Sequence, residues 1–167
     1  AAQRRRIPRK VAVQIVDPAT ATLKATIALG GPREPSLARK GEMLFYDARR
    51  SHNQWFSCHT CHADGHTSSA NFDTLNDDSF GTQKLTPSLR GVARTGPWTW
   101  HGVQVDLGES LQSSFTRTMG RNPARADELE QVRAYLATLD FAEPGPHDGE
   151  AARRGEEVFG AKGCADC

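Results

Sequence analysis

The pentapeptide Cys58-His59-Thr60-Cys61-His62 constrains the fold of this chain more than any other stretch. Two cysteines three positions apart can each add to one vinyl group of a haem, and a histidine directly after the second cysteine can bind the iron. The pattern therefore predicts one complete haem c site, with Cys58 and Cys61 as attachment residues and His62 as the proximal ligand. Such a cofactor needs a crevice, which predicts a loop-rich region closed by helices.

Two other chemistries use paired cysteines. Together with Cys164 and Cys167 the pair could supply four thiolates to zinc, but the two pairs lie about a hundred positions apart, whereas zinc ribbons have roughly fifteen to twenty. A zinc site would also leave His62 without a role. A disulfide or a thioredoxin-like dithiol is the second alternative, and it lacks the βαβ setting expected around residue 58.

The balance of charge argues against some classes of partner. The 167 residues include 21 basic and 20 acidic side chains, so the sequence predicts neither nucleic acid nor a membrane surface as a partner. The basic run at residues 4–6, with Arg9 and Lys10, is interpreted as a solvated tail. No apolar run approaches the roughly eighteen residues of a membrane span.

Alternating apolar residues predict a β-hairpin within residues 1–31, and a Gly- and Pro-rich linker follows at 32–35. Because an isolated hairpin is marginally stable in water, we expect its strands to belong to a larger sheet. The phrase Val16-Asp17-Pro18-Ala19-Thr20, with Ile27-Ala28-Leu29-Gly30 after it, resembles the closing strands of a YVTN-type β-propeller repeat. An ordinary hairpin packed on the next domain is the alternative.

Residues 36–142 are predicted to form a cytochrome c-like helical haem domain, so that the fold class is mainly α. Ser36 can cap a first helix, and Gly41 on its apolar face predicts close approach of a second helix over residues 126–139. Further short helices are predicted to begin at Thr86 and at Asp106, the latter running to about residue 117.

A repeated phrase predicts a second haem module. Ala38-Arg39-Lys40-Gly41-Glu42-x-x-Phe45 is matched by Ala152-Arg153-Arg154-Gly155-Glu156-x-x-Phe159, and each is followed by a Cys-x-x-Cys pair. Residues 149–167 are therefore interpreted as the start of a second, truncated haem c domain, with Cys164 and Cys167 as its attachment residues. We expect the full polypeptide to continue with a histidine.

The sixth ligand of the iron decides what such a haem does, and Met119 is our candidate. It follows a predicted helix and precedes a turn, where a flexible thioether can reach the iron. Simple packing is its alternative role, and Met43 is interpreted as a core residue. His101 is the best competing histidine, either as a distal ligand or as a polar group beside the haem.

Three further residues are candidates for contacts with the cofactor. Arg90 could pair with a haem propionate, because a buried carboxylate needs a charged partner; a solvated arginine is the alternative. Trp98 and Trp100 offer large apolar faces that could form walls of the crevice, with ordinary packing as the other reading.

Four phrases, at residues 41–49, 57–62, 86–102 and 118–121, resemble the di-haem cytochrome c peroxidase and methylamine-utilisation haem-protein family. That resemblance implies two facing c-haem domains, one with a His/Met electron-entry haem and one that activates hydrogen peroxide. By position Met119 matches the methionine ligand, and the carbonyls of Thr95 and Pro97 match part of a Ca²⁺ site. The sequence departs from the family in its incomplete second domain and in a longer spacing between His101 and Met119.

The sequence thus predicts a c-type cytochrome that transfers single electrons in the bacterial periplasm, as part of a di-haem peroxidase-like protein. Reduction of hydrogen peroxide is the alternative activity, and a propeller-based binding module with a sensory or structural haem is a third. The expected partners are a small cytochrome or cupredoxin-like redox protein, together with the propeller and second haem domain of the same polypeptide. Because haem c is attached outside the cytoplasm, a periplasmic or secreted location is expected.

Overall fold

The computed structural model describes residues 12–32, 34–74, 78–143, 145–146 and 148–166. As predicted, this part of the chain is mainly helical and begins with a hairpin. Its strands are β1 (Ala12–Asp17), β2 (Thr22–Ala28), β3 (Asn71–Phe72) and β4 (Lys84–Leu85); its α-helices are α1 (Leu37–Phe45), α2 (Cys58–Cys61), α3 (Leu107–Ser113), α4 (Ala126–Leu136) and α5 (Gly149–Ala161). Across the described ranges we find no helix with the length and apolar character that spanning a membrane requires.

The first two strands pair antiparallel, with Val13 opposite Ile27 and a bulge between Ile15 and Val16. The predicted hairpin is therefore present. Its apolar side chains remain open to solvent, however, since Val13 is 46% and Ile27 is 51% exposed. Burial of apolar area is what stabilises a sheet, so these strands gain little here. Their membership of a larger sheet stays a prediction.

The first and fourth helices form the centre of the haem-domain segment. Ser36 caps α1 by accepting a hydrogen bond from the Arg39 N–H at 3.2 Å, as its position predicts. Where α1 crosses α4, a Cβ atom built on Gly41 would lie only 1.8 Å from the carbonyl oxygen of Gln131. The predicted close approach of these two helices is confirmed, and Phe45 (1% exposed) and Val132 (2%) are buried between them.

The predicted helix at residues 86–90 is wrong, because this segment is irregular and is followed by a 3₁₀ helix at Val92–Arg94. Its backbone groups are committed to partners far away in the sequence. The Thr86 N–H donates to Ala70 O at 3.2 Å, and the Leu89 N–H donates to Gly65 O at 3.2 Å. These two bonds tie the segment to distant parts of the chain along an irregular path.

The helix predicted from Asp106 is present but changes its winding. Asp106 caps α3 by accepting a hydrogen bond from the Glu109 N–H at 3.0 Å. Residues Ser114–Thr118 continue as a π-helical segment, which ends with a bond from the Met119 N–H to Ser114 O at 2.9 Å. Insertions of this kind are common at functional sites, and this one determines where the Met119 side chain emerges.

The last helix, α5, begins at Gly149, and Asp148 caps it by accepting hydrogen bonds from Glu150 N and Ala151 N. The repeated phrase is therefore helical in both copies. Whereas α1 is packed against α4, the side chains of α5 are exposed in the described part of the chain. The division into a haem domain and a second module remains a prediction.

Candidate haem site

A cavity of about 460 Å³ opens inside the 36–142 segment. Its walls come from α2, β4, the irregular 86–100 segment, α3 with its π-helical continuation, and α4. The structure brings most of the predicted site residues to this cavity: Cys58, Cys61, His62, Trp98, Trp100, His101 and Met119. Among the described residues, Arg90 and Cys164 do not line it, and Cys167 lies outside the described residues.

The short helix α2 places both cysteines at the cavity. The Ser57 N–H donates to the Thr60 hydroxyl at 3.0 Å at the start of α2, and the His62 N–H donates to Cys58 O at 2.9 Å at its end. One helical turn puts residues three apart on the same face. Sequence spacing and helical geometry therefore agree in presenting two thiols to one ligand.

Burial raises the pKa of the Cys58 thiol to about 11, and burial also raises the pKa of Cys61. Both thiols are therefore protonated at neutral pH. A catalytic dithiol needs the opposite, a lowered pKa that makes the thiolate available. The environment thus disfavours the thioredoxin-like alternative.

The zinc alternative requires four ligands at one point. Cys164 is exposed and does not line the cavity that holds the first pair. Within the ranges that the structure describes, no group of three His, Cys, Asp or Glu side chains is arranged to hold a metal ion directly. The described residues therefore do not assemble a tetrahedral zinc site.

His62 is held by one of its two ring nitrogens. Its Nδ1 lies 2.9 Å from the carbonyl oxygen of Pro87, which acts as acceptor if Nδ1 carries the proton. Burial lowers the pKa of His62, and the hydrogen bond to Pro87 opposes that shift, so the ring is neutral near pH 7. With Nδ1 engaged, Nε2 is the nitrogen that can bind a metal.

Pro87 is a contact of His62 that the sequence does not predict, because a backbone carbonyl carries no signature in the sequence. The one signal for it is the position of Pro87 in the phrase Thr86-Pro87-Ser88-Leu89-Arg90, part of the family resemblance and of the segment predicted to begin a helix.

Met119 lies at the end of the π-helical segment and is 3% exposed. Its backbone is fixed on both sides: the N–H donates to Ser114 O at 2.9 Å, and the carbonyl accepts from the His52 N–H at 2.7 Å. The residue lines the same cavity as His62. A thioether and an imidazole are thereby available to one ligand from two different segments of the chain.

The two tryptophans form part of the cavity wall and of its rim. The Trp98 indole N–H donates to Val92 O at 2.7 Å, and the Trp100 indole N–H donates to Leu85 O at 2.8 Å. Trp100 is 57% exposed, so it belongs to the mouth of the cavity rather than to its depth. His101 is exposed and lines both the cavity and an adjoining open groove.

Two remaining predictions concern charged partners: a haem propionate for Arg90, and a Ca²⁺ ion for the carbonyls of Thr95 and Pro97. The Arg90 side chain is exposed, and Arg90 is not among the described residues that line the cavity. Lys84, for which the sequence predicts no role, is half-buried and lines the cavity. Thr95 and Pro97 also line it, and the calcium site suggested for their carbonyls stays a prediction.

Comparison with known proteins gives matches of consistent character. Residues 35–153 match the model of a family described as di-haem cytochrome c peroxidase. The chain is 31% identical over 154 residues to the gamma subunit of hydrazine synthase from Kuenenia stuttgartiensis, covering 81% of this chain and 43% of that subunit.

A solved structure of Kuenenia stuttgartiensis hydrazine synthase, pressurised with 20 bar xenon, has a similar fold. One of its chains matches with a TM-score of 0.65 at 23% identity, over 82% of this chain and 49% of that one. The present chain therefore spans less than half the length of each of these two relatives.

Proposed function

Because the chain belongs to the di-haem cytochrome c peroxidase family, we propose that it is a c-type cytochrome that transfers single electrons as part of a larger di-haem, peroxidase-like protein. Membership of the family supports haem c as the cofactor. The assignment of the site rests on one observation: Cys58, Cys61, His62 and Met119 all line the same cavity.

The chemistry of the cavity suits a porphyrin. Its volume of about 460 Å³ lies within the range of about 300–1,000 Å³ that is common for ligand pockets. Aromatic and aliphatic side chains form much of the wall, including Phe45, Leu107 and Leu136. Such a lining suits the flat apolar faces of a macrocycle. The thiols of Cys58 and Cys61 lie in the same lining and could attach it covalently.

Each residue has a distinct part in this proposal. Cys58 and Cys61 would form the thioether bonds to the porphyrin, and His62 and Met119 would hold its iron. When bound, the haem supplies one-electron chemistry at its iron. The Pro87 carbonyl fixes the orientation and tautomer of the His62 ring and makes Nε2 a better donor. An iron held by two protein side chains would favour electron transfer over bond chemistry.

The proposal includes a location and a partner. Haem c is attached in compartments outside the cytoplasm, so we place the protein in the bacterial periplasm or among secreted proteins. Its electrons would be exchanged with a small cytochrome or a cupredoxin-like protein. The relative named as a subunit of hydrazine synthase supports a role beside other chains.

Reduction of hydrogen peroxide is the second candidate function. It is favoured by His101, which lines both the cavity and the adjoining groove and so connects solvent with the cofactor site. A polar ring at such a point can orient a small polar molecule and exchange protons with it. This activity would need an iron that one protein side chain leaves accessible, either at this site without Met119 or in a second haem domain.

Expression in a host that matures c-type cytochromes tests the assignment. The product should be coloured and heavier than its amino acids by covalent haem, and its oxidised form should show the long-wavelength band of methionine ligation. Met119→Ala should abolish that band and give a high-spin ferric spectrum, whereas Met43→Ala, which changes a methionine away from the cavity lining, should keep it. A colourless product without added mass would refute the proposal, and rapid peroxide turnover by the wild type would favour the second candidate.

A further inference from the structure

Two segments of the chain, residues 62–70 and residues 86–90, are joined by hydrogen bonds beside the cavity. Backbone bonds link them, and the contact between the His62 ring and the Pro87 carbonyl is a further link. Proline has no N–H, so no bond of its own amide can fix the orientation of this residue. The carbonyl that orients His62 is therefore held in place through the residues next to Pro87.

The carbonyl directly before Pro87 accepts a short hydrogen bond from the first segment. Its donor is the Thr67 hydroxyl, which lies 2.6 Å from Thr86 O. The same hydroxyl accepts from the Ser69 N–H at 3.0 Å, so that its direction is set from both sides. Because Thr86 is only 7% exposed, the bond lies largely away from water, where a hydrogen bond is electrostatically stronger.

The Thr67 hydroxyl and the His62 imidazole thus contact two consecutive carbonyls, those of Thr86 and Pro87. The two side chains are also linked to each other through the backbone, because the N–H of the residue after Thr67 donates to Cys61 O at 2.9 Å. A closed ring of covalent bonds and hydrogen bonds therefore contains the imidazole, the carbonyl that it contacts and the hydroxyl. Movement of that carbonyl away from the imidazole would have to break the bond to the hydroxyl or distort the ring.

We propose that Thr67 is a positioning residue for the proximal ligand, and that its hydroxyl keeps the Pro87 carbonyl in place for the His62 ring. This inference rests on the haem assignment made above. A carbonyl that accepts from Nδ1 raises the electron density at Nε2, and a stronger donor stabilises the more positively charged, oxidised iron. Thr67, which is not among the described residues that line the cavity, therefore lowers the reduction potential through His62.

The test uses the holoprotein in four versions: wild type, Thr67→Val, Thr67→Ser and Thr138→Val. Two quantities are measured, the midpoint potential by spectroelectrochemical titration and, by NMR of the reduced protein, the rate at which the His62 Nδ1 proton exchanges with solvent. Thr67→Val keeps the shape of the side chain and removes the hydroxyl, so it should raise the potential and accelerate the exchange about fivefold, the factor that one hydrogen bond contributes. Thr67→Ser keeps the hydroxyl and should retain the wild-type values.

Thr138→Val is the matched control. The Thr138 hydroxyl also donates to a backbone carbonyl at 2.6 Å, that of Tyr135 near the end of α4. The variant therefore loses a bond of the same kind and length that belongs to neither of the two segments. Its midpoint potential and its exchange rate should equal those of the wild type.

A potential and an exchange rate unchanged in Thr67→Val would overturn the inference. Equal changes in Thr67→Val and Thr138→Val would overturn it as well, because they would mark a general loosening of the fold. If Thr67→Val does not fold, Thr67→Ala serves in its place. A wild type without covalent haem would refute the proposed function before any variant is compared, whereas a haem-bearing wild type with an unaffected Thr67→Val would refute the positioning role alone.

Discussion

The backbone N–H of His52 donates a 2.7 Å hydrogen bond to the carbonyl oxygen of Met119. His52 belongs to the segment that leads from α1 into the cysteine pair, so the same stretch of chain that delivers the thiols also holds the methionine. A second contact reinforces the link, since the Arg121 guanidinium donates to Arg49 O at 3.4 Å. The position of Met119 at the cavity therefore depends on backbone contacts that do not touch its sulfur.

His52→Pro should remove the hydrogen bond that fixes the Met119 backbone at the cavity. Proline has no N–H, yet His52 begins a 3₁₀ helix and the residue before it is extended (Ser51, φ −105°, ψ 162°), so the ring is tolerated at this place. Loss of one hydrogen bond corresponds to about 1 kcal/mol, or about fivefold in the equilibrium for release of Met119. Exogenous imidazole, which competes with the thioether for ferric haem, should bind about fivefold more tightly to the variant.

The matched control is His52→Ala, which removes the side chain and keeps the N–H. Its affinity for imidazole should equal that of the wild type. If both variants bind imidazole more tightly than the wild type and to the same extent, the side chain of His52 matters and the hydrogen bond to Met119 does not.

A buried carboxylate joins three segments on the side of the molecule where Met119 is held. Glu128 of α4 is 5% exposed; it accepts from Arg50 Nη2 at 3.2 Å and from the Arg125 N–H at 2.9 Å. The Arg50 guanidinium in turn lies 5.1 Å above the centre of the Phe115 ring, in the π-helical segment. This network connects the segment before the cysteines with α3 and α4.

Glu128→Ala should therefore destabilise the fold strongly, because it leaves the partly buried Arg50 charge without its partner. We expect a loss of about 3 kcal/mol in the free energy of unfolding, measured by urea denaturation followed by circular dichroism. Asp127→Ala is the control, since its carboxylate, 55% exposed, pairs with Arg125 at the surface, and such pairs contribute about 0–1 kcal/mol. Equal losses in the two variants would show that the Arg50 contact is unimportant.

Local signals in the sequence predicted local structure well. The caps at Ser36 and Asp106 and the close approach at Gly41 depend on residue type within one helical turn or at one crossing, and the structure has all three. The same is true of the cysteine pair, whose spacing alone places both thiols on one face of α2. The two caps and the cysteine spacing need no knowledge of distant contacts.

Hydrogen bonds to backbone carbonyls of distant segments were beyond the reach of the sequence. The acceptor for the His62 ring is the carbonyl of Pro87, which lies 25 positions away and has no side-chain signature. The helix predicted to begin at Thr86 is absent, and this segment is instead tied to distant parts of the chain by bonds from the Thr86 N–H to Ala70 O and from the Leu89 N–H to Gly65 O.

The two copies of the repeated phrase offer a comparison within one chain, because Gly41 and Gly155 occupy the same position in α1 and in α5. A Cβ at Gly41 would collide with the Gln131 carbonyl oxygen at 1.8 Å, whereas one at Gly155 has no described atom within 4 Å. Gly41→Ala should force the two helices apart and cost about 1–3 kcal/mol, the usual range for overpacking.

At Gly155 helix propensity acts without a steric penalty, so that Gly155→Ala should stabilise α5 by about 0.5–1 kcal/mol. Thermal unfolding of the 167-residue chain, followed through haem absorbance and far-ultraviolet circular dichroism, compares the two variants. A lower unfolding temperature in Gly41→Ala together with unchanged or higher helicity in Gly155→Ala is the expected result. Equal destabilisation by both would mean that the second copy packs as tightly as the first, because only a close neighbour can make alanine less favourable than glycine within a helix.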